Sequence, residues 1–130
     1  MIAAVGVDLV EIATLKRSVT RWGDRFLRRV FTPAELRYAR AKPRTIYQHL
    51  AGRFAVKEAV LKALGDWKGK VVLPMRAIEV VNDATGKPRV QWASRRAPFP
   101  ASYRLMVSLA HTKHYAVATA VLSRGRDEHS

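Results

Sequence analysis

Two acidic residues in otherwise apolar surroundings are the first candidates for chemistry. Asp8 lies within the valine- and isoleucine-rich stretch 2–12, and Glu58 lies within the alanine- and valine-rich stretch 51–65. A carboxylate in an apolar segment is unfavourable unless it has a partner or binds a metal ion. For Glu58 the partner could be Lys62, four residues later on a helix. A metal ion is the other interpretation, and the residue pattern alone leaves both open.

The stretch 2–12 predicts the strand that positions Asp8, because β-branched residues dominate it and the pattern changes at Ala13. Successive side chains of a strand point to opposite faces, so Ala4, Gly6 and Asp8 share one face. We interpret Gly6 as the residue whose missing side chain leaves Asp8 accessible. Asp8 is therefore expected to be functional.

The segment from Thr45 to Gly65 predicts a long helix around which the rest of the chain packs. Apolar side chains fall on nearly all of its sides at helical spacing, which indicates burial. The small residues Gly52, Ala59 and Ala63 would let a sheet come close to its backbone. Glu58 would thus be held inside the domain.

Other signals predict helices before this segment and strands after it. Thr32 and Glu35 form a capping box that starts a helix ending near Lys42–Pro43. The remaining elements are a helix over 14–30, either continuous or broken near Trp22–Gly23, strands over 77–81 and 89–92 around the turn 82–88, and strands over 103–110 and 115–122. Together they predict one α+β domain over residues 1–122, an antiparallel sheet packed around the long helix, with a frayed tail over 123–130.

Composition narrows the classes of protein that fit. The chain of 130 residues has no cysteine, which excludes disulfides and thiolate zinc sites, and only His111 and His114 are close enough in sequence to suggest a histidine pair on a metal. Any metal is therefore expected to have oxygen ligands. No stretch is long and apolar enough to span a membrane and the first residues lack a basic leader, so we expect a cytoplasmic protein that contacts no membrane.

The chain is strongly basic, with 24 Lys and Arg against 10 Asp and Glu and a formal net charge of +14. Such an excess favours a polyanion or an acidic protein as the partner. Aromatic and basic residues do not interleave in a recognisable nucleic-acid-binding pattern. A basic nucleic-acid-binding module is therefore kept only as the alternative interpretation.

Four arginines recur at helical spacing in the first predicted helix: Arg17, Arg21, Arg25 and Arg28. They share one stripe if the helix continues through Gly23. A solvated surface is the simpler interpretation of such a run. Like charges at this spacing repel one another, so we interpret the stripe instead as a docking site for the helices of an acidic protein.

The carboxylates and the basic residues of the same segments together suggest chemistry on a phosphorylated substrate. Mg²⁺ commonly binds one or two protein carboxylates and takes its other ligands from water and substrate phosphates. Several basic residues suit a polyphosphate: Arg53, Lys57, Lys62 and Lys87. This set indicates phosphoryl-type transfer from a nucleotide-like substrate.

Several motifs resemble those of the holo-acyl-carrier-protein synthases, the small bacterial 4′-phosphopantetheinyl transferases. In the order and separations of that family, they are Gly6-Val-Asp8-Leu-Val-Glu11-Ile12, Phe31-Thr-Pro-Ala-Glu35-Leu36, Ala51-Gly-Arg-Phe-Ala-Val-Lys57-Glu58-Ala59, Lys62-Ala-Leu-Gly65, Gly86-Lys87-Pro88 and Ser108-Leu-Ala-His111-Thr112. The resemblance covers nearly the whole chain except the tail. Ala110 departs from the serine or threonine more common before the histidine, which affects one hydroxyl contact.

The resemblance implies Mg²⁺-dependent transfer of the 4′-phosphopantetheine arm from coenzyme A to a serine of apo-acyl carrier protein, with release of adenosine 3′,5′-bisphosphate. It implies that Asp8 and Glu58 hold the metal ion at the pyrophosphate, that Lys62 assists catalysis, and that Glu58 or a water molecule on the metal takes the serine proton. The coenzyme A contacts that it implies are Asp8, Arg53 and Lys62 at the pyrophosphate, and Gly86, Lys87, Pro88, His111 and Thr112 around the adenosine 3′-phosphate.

The resemblance also implies a partner for the arginine stripe, since acyl carrier proteins are acidic and helical. It further implies a homotrimer with clefts between neighbouring chains. We expect the carboxylate pair of one chain to meet Lys87 and His111 of the next, whereas a monomer would hold all of these residues in one chain. The choice between fatty-acid and polyketide carriers, and the tolerance of acylated coenzyme A, stay open.

Overall fold

The computed structural model describes residues 1–69 and 71–125 and confirms the predicted α+β class. Its elements in chain order are β1 (Ile2–Glu11), α1 (Ile12–Trp22), α2 (Asp24–Val30), α3 (Pro33–Arg40), α4 (Ile46–Lys68), β2 (Ile78–Asn82), β3 (Pro88–Trp92), β4 (Tyr103–His111) and β5 (Tyr115–Arg124). Short 3₁₀ turns lie at Pro43–Thr45 and Met75–Ala77. Helices thus dominate the first half of the chain and strands the second.

The first and last strands lie side by side in a three-stranded antiparallel sheet with the order β1-β5-β4. β5 is the central strand, so Asp8 of β1 and Leu109 of β4 both lie opposite Ala118. A separate antiparallel pair is formed by β2 and β3. Both predicted hairpins are confirmed, and the pairing of β1 with β5 fixes the strand that carries Asp8.

Helix α4 packs across one face of the three-stranded sheet and is buried on most sides, as predicted. It approaches β1 most closely at Gly6, where a Cβ atom would overlap the carbonyl oxygen of Ala59 and lie 2.7 Å from the nitrogen of Ala63. Gly6 is therefore required for the packing of the strand on the helix, and its interpretation as an access gap for Asp8 is wrong. Ala59 and Ala63 allow the close approach predicted for them.

The long helix continues past its predicted end. Gly65 stays helical, and α4 ends instead at Lys68, followed by the C-cap Gly69, whose φ of 79° suits a glycine. The additional turn carries Trp67, whose ring centroid lies 5.2 Å from that of Tyr103 on β4. This aromatic contact extends the helix beyond the residue at which local sequence suggested a stop. Among the helices described here, none is long and apolar enough to cross a membrane.

Gly23 divides the first helical region into two pieces. Its φ of 57° and ψ of −139° end α1 at Trp22, and α2 begins at Asp24. The break proposed near this glycine is therefore confirmed. The arginines at 17 and 21 lie on a different helix from those at 25 and 28, so the continuous stripe is wrong.

The predicted start of α3 is confirmed by its capping box. Thr32 Oγ1 accepts the N–H of Glu35 at 3.3 Å, and a Glu35 carboxylate oxygen accepts the N–H of Thr32 at 2.9 Å. These two bonds satisfy donors that a helix start would otherwise leave without partners.

The predicted domain end at residue 122 is too early. Ser123 and Arg124 continue β5, opposite Ile2 and Tyr103 respectively. Pairing with strands on both sides of β5 orders these residues, which their composition alone assigned to a frayed tail. The later part of that predicted tail, residues 126–130, lies outside the described residues.

Candidate functional site

The predicted carboxylate pair forms where β1 crosses α4. Lys62 of α4 reaches Asp8 on β1: its Nζ lies 3.0 Å from Asp8 Oδ1 and 3.1 Å from the carbonyl oxygen of Val7. Glu58 lies one helical turn before Lys62 on α4. Two carboxylates and one ammonium group therefore meet between the strand and the helix.

The pKa of Glu58 reflects both its burial and the negative charge beside it. Partial burial raises the pKa of Glu58, the nearby Asp8 carboxylate raises it further, and Lys62 opposes them to a smaller extent. Within the described part of the chain, Lys62 forms its ion pair with Asp8, so the suggested Glu58–Lys62 pair is wrong. The single lysine leaves excess negative charge between the two carboxylates.

This set of donors fits Mg²⁺. Residues 1–69 and 71–125 contain no group of three or more His, Cys, Asp or Glu side chains that could hold a metal ion. Two carboxylates are nevertheless sufficient for an ion that takes its other ligands from water and substrate phosphates. A cation between Asp8 and Glu58 would also offset the burial of the Glu58 charge and its repulsion by Asp8, which together raise the pKa of Glu58.

A second group of side chains gathers around Tyr38 of α3. The guanidinium carbon of Arg53 lies 4.0 Å from the centroid of the Tyr38 ring, and the His49 ring lies 5.4 Å from it. His111, at the end of β4, lies 6.0 Å from His49 between ring centroids. We call these four residues the Tyr38 cluster. It brings together Arg53 and His111, which were assigned to different phosphates of the substrate.

Arg53 is almost completely buried in this cluster. Only 3% of its surface is exposed, and its Nε finds no hydrogen-bond partner among the described residues. Burial lowers the pKa of Arg53, while Tyr38 and Glu35 oppose that effect. A buried guanidinium nitrogen without a partner is costly, and an anionic ligand would supply one.

His49 is a cluster member that the sequence analysis missed. It lies four residues before Arg53 on α4, so both side chains lie on the same face of the helix. This spacing was the available signal. It was overlooked because the strongly apolar pattern of the segment dominated its interpretation.

Thr112 organises the tight turn between β4 and β5. Its Oγ1 accepts the N–H groups of His114 and Tyr115 at 3.3 and 3.1 Å. The turn holds His111 at the end of β4, beside Leu9 of β1 in a shallow surface pocket. Thr112 therefore supports the position of His111, and its own contact with coenzyme A stays a prediction.

The turn Gly86-Lys87-Pro88 lies apart from both groups. Gly86 has a φ of 86°, and Asp83 Oδ1 accepts the N–H groups of Thr85 and Lys87 at 2.8 and 3.0 Å, which fixes the turn. Lys87 is exposed and lines a cleft of about 620 Å³ that also includes Arg104 of β4. None of the contacts given above for the carboxylate pair or the Tyr38 cluster involves Lys87.

Lys57, which was grouped with the residues that suit a polyphosphate, is fully buried. Its Nζ lies 2.8 Å from a Glu35 carboxylate oxygen and 3.0 Å from the carbonyl oxygen of Met75, and it also donates to that of Ile78. Glu35 accepts in addition the N–H of Val80 at 2.8 Å. This buried ion pair ties α3 and α4 to β2. The assignment of Lys57 to a phosphate is therefore wrong, and Glu35 does more than cap α3.

The arginines expected to dock a partner are all exposed. An Arg17 guanidinium nitrogen lies 3.8 Å from a Glu11 carboxylate oxygen, and the Arg21 guanidinium lies 4.8 Å from the ring centroid of Trp22. On α2, Arg25 lines a surface pocket together with Trp22. The break between α1 and α2 thus brings an exposed indole among the charges, and the docking role stays a prediction.

The sheet face that points away from α4 is apolar and exposed. Val5, Val7 and Leu9 of β1 keep 51%, 54% and 64% of their surface. Val117 of β5 and Met106 of β4 keep 36% and 50%. An exposed apolar face that extends over three strands is typical of an interaction surface.

The chain is similar to known proteins over almost its whole length. Residues 4–120 match the family model of the 4′-phosphopantetheinyl transferase superfamily. The holo-[acyl-carrier-protein] synthase of Protochlamydia amoebophila is 41% identical over 123 residues, which cover 95% of this chain and 99% of that protein. The synthase of Chlorobaculum tepidum is 45% identical over 117 residues, which cover 90% and 95% of the two chains.

Solved structures agree with these similarities. A holo-(acyl-carrier-protein) synthase from Bacillus anthracis in complex with CoA (3′,5′-ADP) matches with a TM-score of 0.76 and 33% identity, covering 97% of this chain and 99% of that chain. The synthase from Neisseria meningitidis matches with a TM-score of 0.79 and 26% identity, covering 95% and 100%. The chain is therefore an enzyme of the 4′-phosphopantetheinyl transferase superfamily and belongs to its holo-[acyl-carrier-protein] synthase family.

Proposed function

We propose that the enzyme transfers the 4′-phosphopantetheine arm of coenzyme A to a serine hydroxyl of an apo-acyl carrier protein. The serine oxygen forms a bond to the phosphorus atom that bears the arm. The bond from that phosphorus to the bridging pyrophosphate oxygen breaks, and adenosine 3′,5′-bisphosphate leaves. The single observation that carries the proposal is the meeting of Asp8, Glu58 and Lys62 in a chain of this family.

Asp8 and Glu58 would hold Mg²⁺ at the pyrophosphate. The raised pKa of Glu58, caused first by burial and then by the Asp8 carboxylate, supports this assignment. When bound, the ion supplies positive charge that offsets the charge developing on the leaving group. The remaining catalytic work would fall to side chains of the protein.

Lys62 and Glu58 are the side chains placed to do that work. The Lys62 side chain is 55% exposed while it pairs with Asp8, so its ammonium group can also donate to a pyrophosphate oxygen. The raised pKa makes Glu58 a stronger base than an ordinary carboxylate, suited to accept the serine proton. A water molecule in the site is the other acceptor of that proton.

We assign the adenosine 3′-phosphate to the Tyr38 cluster. Arg53 and His111 converge there, and the Arg53 Nε has no partner among the described residues. We therefore assign Arg53 to the 3′-phosphate and no longer to the pyrophosphate. Thr112 would lie beside the same phosphate, next to His111. Asp8 and Lys62 remain assigned to the pyrophosphate of coenzyme A.

A homotrimer would complete the site with the turn Gly86-Lys87-Pro88 of a neighbouring chain. Two observations support it. The apolar sheet face is exposed in a single chain, and the cleft lined by Lys87 and Pro88 includes none of the proposed coenzyme A residues outside that turn. His111 lies beside His49 of its own chain, so we assign it to that chain and no longer to the neighbour. A ring of three chains would bury the apolar face and share each site.

The carrier protein would dock on α1 and α2 through the exposed arginines at 17, 21, 25 and 28. Acidic helices complement this basic surface, and Trp22 offers an apolar contact within it. We further propose a cytoplasmic enzyme that provides holo-carrier for fatty-acid or related lipid synthesis. The net charge of +14 is compatible with an acidic partner.

The direct test is incubation of the enzyme with coenzyme A, Mg²⁺ and an apo-acyl carrier protein, followed by mass spectrometry of the carrier. We expect the carrier to gain the mass of the phosphopantetheine arm at one serine. Chelation of the metal should stop the reaction and added Mg²⁺ should restore it. A carrier that keeps its original mass with every fatty-acid and polyketide carrier tried would contradict the proposal.

A further inference from the structure

The side chains whose charges act on His49 are all basic. His49 lies near the start of α4, with its ring 6.0 Å from that of His111 and 5.4 Å from that of Tyr38. The charged or titratable side chains that face it are Tyr38 of α3, Lys42 after α3, Arg53 of α4 and His111 of β4. No carboxylate belongs to this set.

The nearest acid is already committed elsewhere. Glu35 interacts with Arg53 through space, but one of its carboxylate oxygens binds Lys57 at 2.8 Å and the other accepts the N–H of Val80 at 2.8 Å. Arg53 is 3% exposed, and its Nε lacks a partner in the described part of the chain. The cluster therefore has the charge and the unused donor of an anion site.

We propose that His49 binds the 3′-phosphate of coenzyme A as a third donor beside Arg53 and His111, and that it takes up a proton when this dianion binds. The inference rests on the proposed function, because it assumes that coenzyme A is the ligand. It makes His49 a residue that couples recognition of the 3′-phosphate to pH. Arg53 cannot serve as such a switch, since a guanidinium keeps its proton at all relevant pH values.

His49 should gain a proton on binding, because the phosphate adds negative charge to surroundings that are otherwise basic. Burial, and then the neighbouring charges of Arg53, His111 and Lys42, lower the pKa of His49 in the unliganded protein. A phosphate dianion favours the protonated imidazole and raises that pKa. The His49 contribution to affinity is therefore complete below the pKa of the unliganded protein and is lost as pH rises through the pKa of the complex.

The test compares coenzyme A with 3′-dephospho-coenzyme A, which lacks the phosphate in question. Binding of each to the full-length protein is measured by isothermal titration calorimetry with Mg²⁺, at about pH 6 and about pH 8, in two buffers of different ionisation enthalpy, so that proton uptake is obtained directly. The variant is His49→Gln. The matched control is His114→Gln, on the β4–β5 turn and outside the cluster.

For His49→Gln we expect coenzyme A to bind roughly tenfold more weakly at the lower pH, the loss of about one charge-assisted hydrogen bond, and nearly as well as wild type at the higher pH. Proton uptake on binding should fall, while affinity for 3′-dephospho-coenzyme A should not change. His114→Gln should behave as wild type. Because His49→Gln could disturb the ring contact with Tyr38, His49→Phe keeps the aromatic contact without the charge and should show the same losses.

Three results would overturn the inference, and only the third also contradicts the proposed function. Wild-type proton uptake and pH dependence in folded His49→Gln or His49→Phe would exclude His49 while leaving the transferase reaction intact. Equal weakening of both ligands would likewise assign His49 a role unrelated to the 3′-phosphate. If the wild-type enzyme binds neither ligand and modifies no carrier, the proposed function fails together with the inference.

Discussion

Asp8 and Glu58 are held close together by the fold although they repel each other. Burial and the Asp8 carboxylate both raise the pKa of Glu58. A carboxyl whose pKa is higher in the folded than in the unfolded protein destabilises the fold when it is ionised. The penalty develops as pH rises from the unfolded to the folded pKa, and it is complete above the folded pKa. The ionised Glu58 therefore lowers the stability of the folded protein at the point where a cation is expected to bind.

Glu58→Gln should separate stability from activity. It should raise the melting temperature of the metal-free protein by a few degrees at neutral pH, because the ionised carboxylate is gone, and the difference from wild type should shrink as the pH falls through the folded pKa of Glu58. Turnover should fall by at least about a hundredfold. Thermal unfolding over a pH series and the carrier mass assay measure the two effects.

Asp66→Asn is the control for this experiment, because Asp66 is an exposed carboxylate on the same helix. It should leave turnover unchanged. Mg²⁺ should raise the melting temperature of wild type and of this control, but not that of Glu58→Gln. A Glu58→Gln enzyme that keeps near-normal turnover would remove Glu58 from the site.

The contact between β1 and α4 is the element-scale feature on which the carboxylate pair depends. Gly6 lets the strand touch the helix backbone at Ala59 and Ala63, close to the point where Asp8 meets Lys62. A methyl group at residue 6 would have to displace backbone atoms, which cannot move as a flexible side chain can. The position of Asp8 relative to Glu58 is thus set by a glycine that takes no part in the chemistry.

Gly6→Ala should destabilise the protein by about 3 kcal/mol, the upper part of the range for overpacked cores, and should lower turnover as well. Gly65→Ala is the matched control: it lies in α4, and an added Cβ there meets no atom within 4 Å. That change should stabilise the protein by roughly 0.5–1 kcal/mol, as alanine does in a helix. Denaturant unfolding measures both, and a Gly6→Ala protein as stable as wild type would contradict the packing described here.

The helices and strands could be predicted well from the sequence, and the contacts between them less well. The capping box at Thr32, the long buried helix and both hairpins depend on local patterns, so they could be read from the chain. The end of α4 was misplaced because Trp67 meets Tyr103 across the fold, and Lys57 was misassigned because its partner Glu35 is distant in sequence. Such contacts leave no local signal.

The candidate site shows the same division. Asp8 and Glu58 were found because charges in apolar segments stand out, and they do meet at Lys62. The convergence of Arg53 with His111 depends on the packing of β4 against α4, which periodicity does not predict. His49 is a different case. Its spacing of four residues from Arg53 is visible in the sequence, but it was not used as a signal.

At the scale of the whole molecule, the excess of positive charge should govern encounter with the carrier protein. Arg21→Glu should raise the KM for carrier protein several-fold while the KM for coenzyme A stays nearly constant, because α1 lies outside the proposed coenzyme A site. The effect should shrink as salt rises, since exposed charges are screened over about 8–10 Å at moderate ionic strength.

Steady-state kinetics at several salt concentrations measure this effect. Arg96→Glu changes the net charge equally but lies in the loop between β3 and β4, so it should have little influence. Equal effects of the two variants would indicate a general charge effect and exclude a docking site on α1.

Sharing of the site between chains can be tested by complementation. Glu58→Ala and Lys87→Ala proteins should each be weakly active, and co-refolding them should restore activity at interfaces where an intact carboxylate pair meets an intact Lys87. Light scattering should give the mass of three chains for the mixed and the single proteins. If mixed oligomers form without any gain in activity, the site is self-contained and the shared cleft is excluded.

The central position of β5 also affects how the protein is made. β1 carries Asp8 and is synthesised before the other elements described here, yet its neighbour in the sheet is the last of the described strands. Such distant pairing is slow to form, and β1 stays without its hydrogen-bonding neighbour until synthesis of the domain is nearly finished. Without β5, β1 has no strand to hold it on α4, so we expect nascent chains to lack an assembled carboxylate pair and to stay inactive until β5 has emerged.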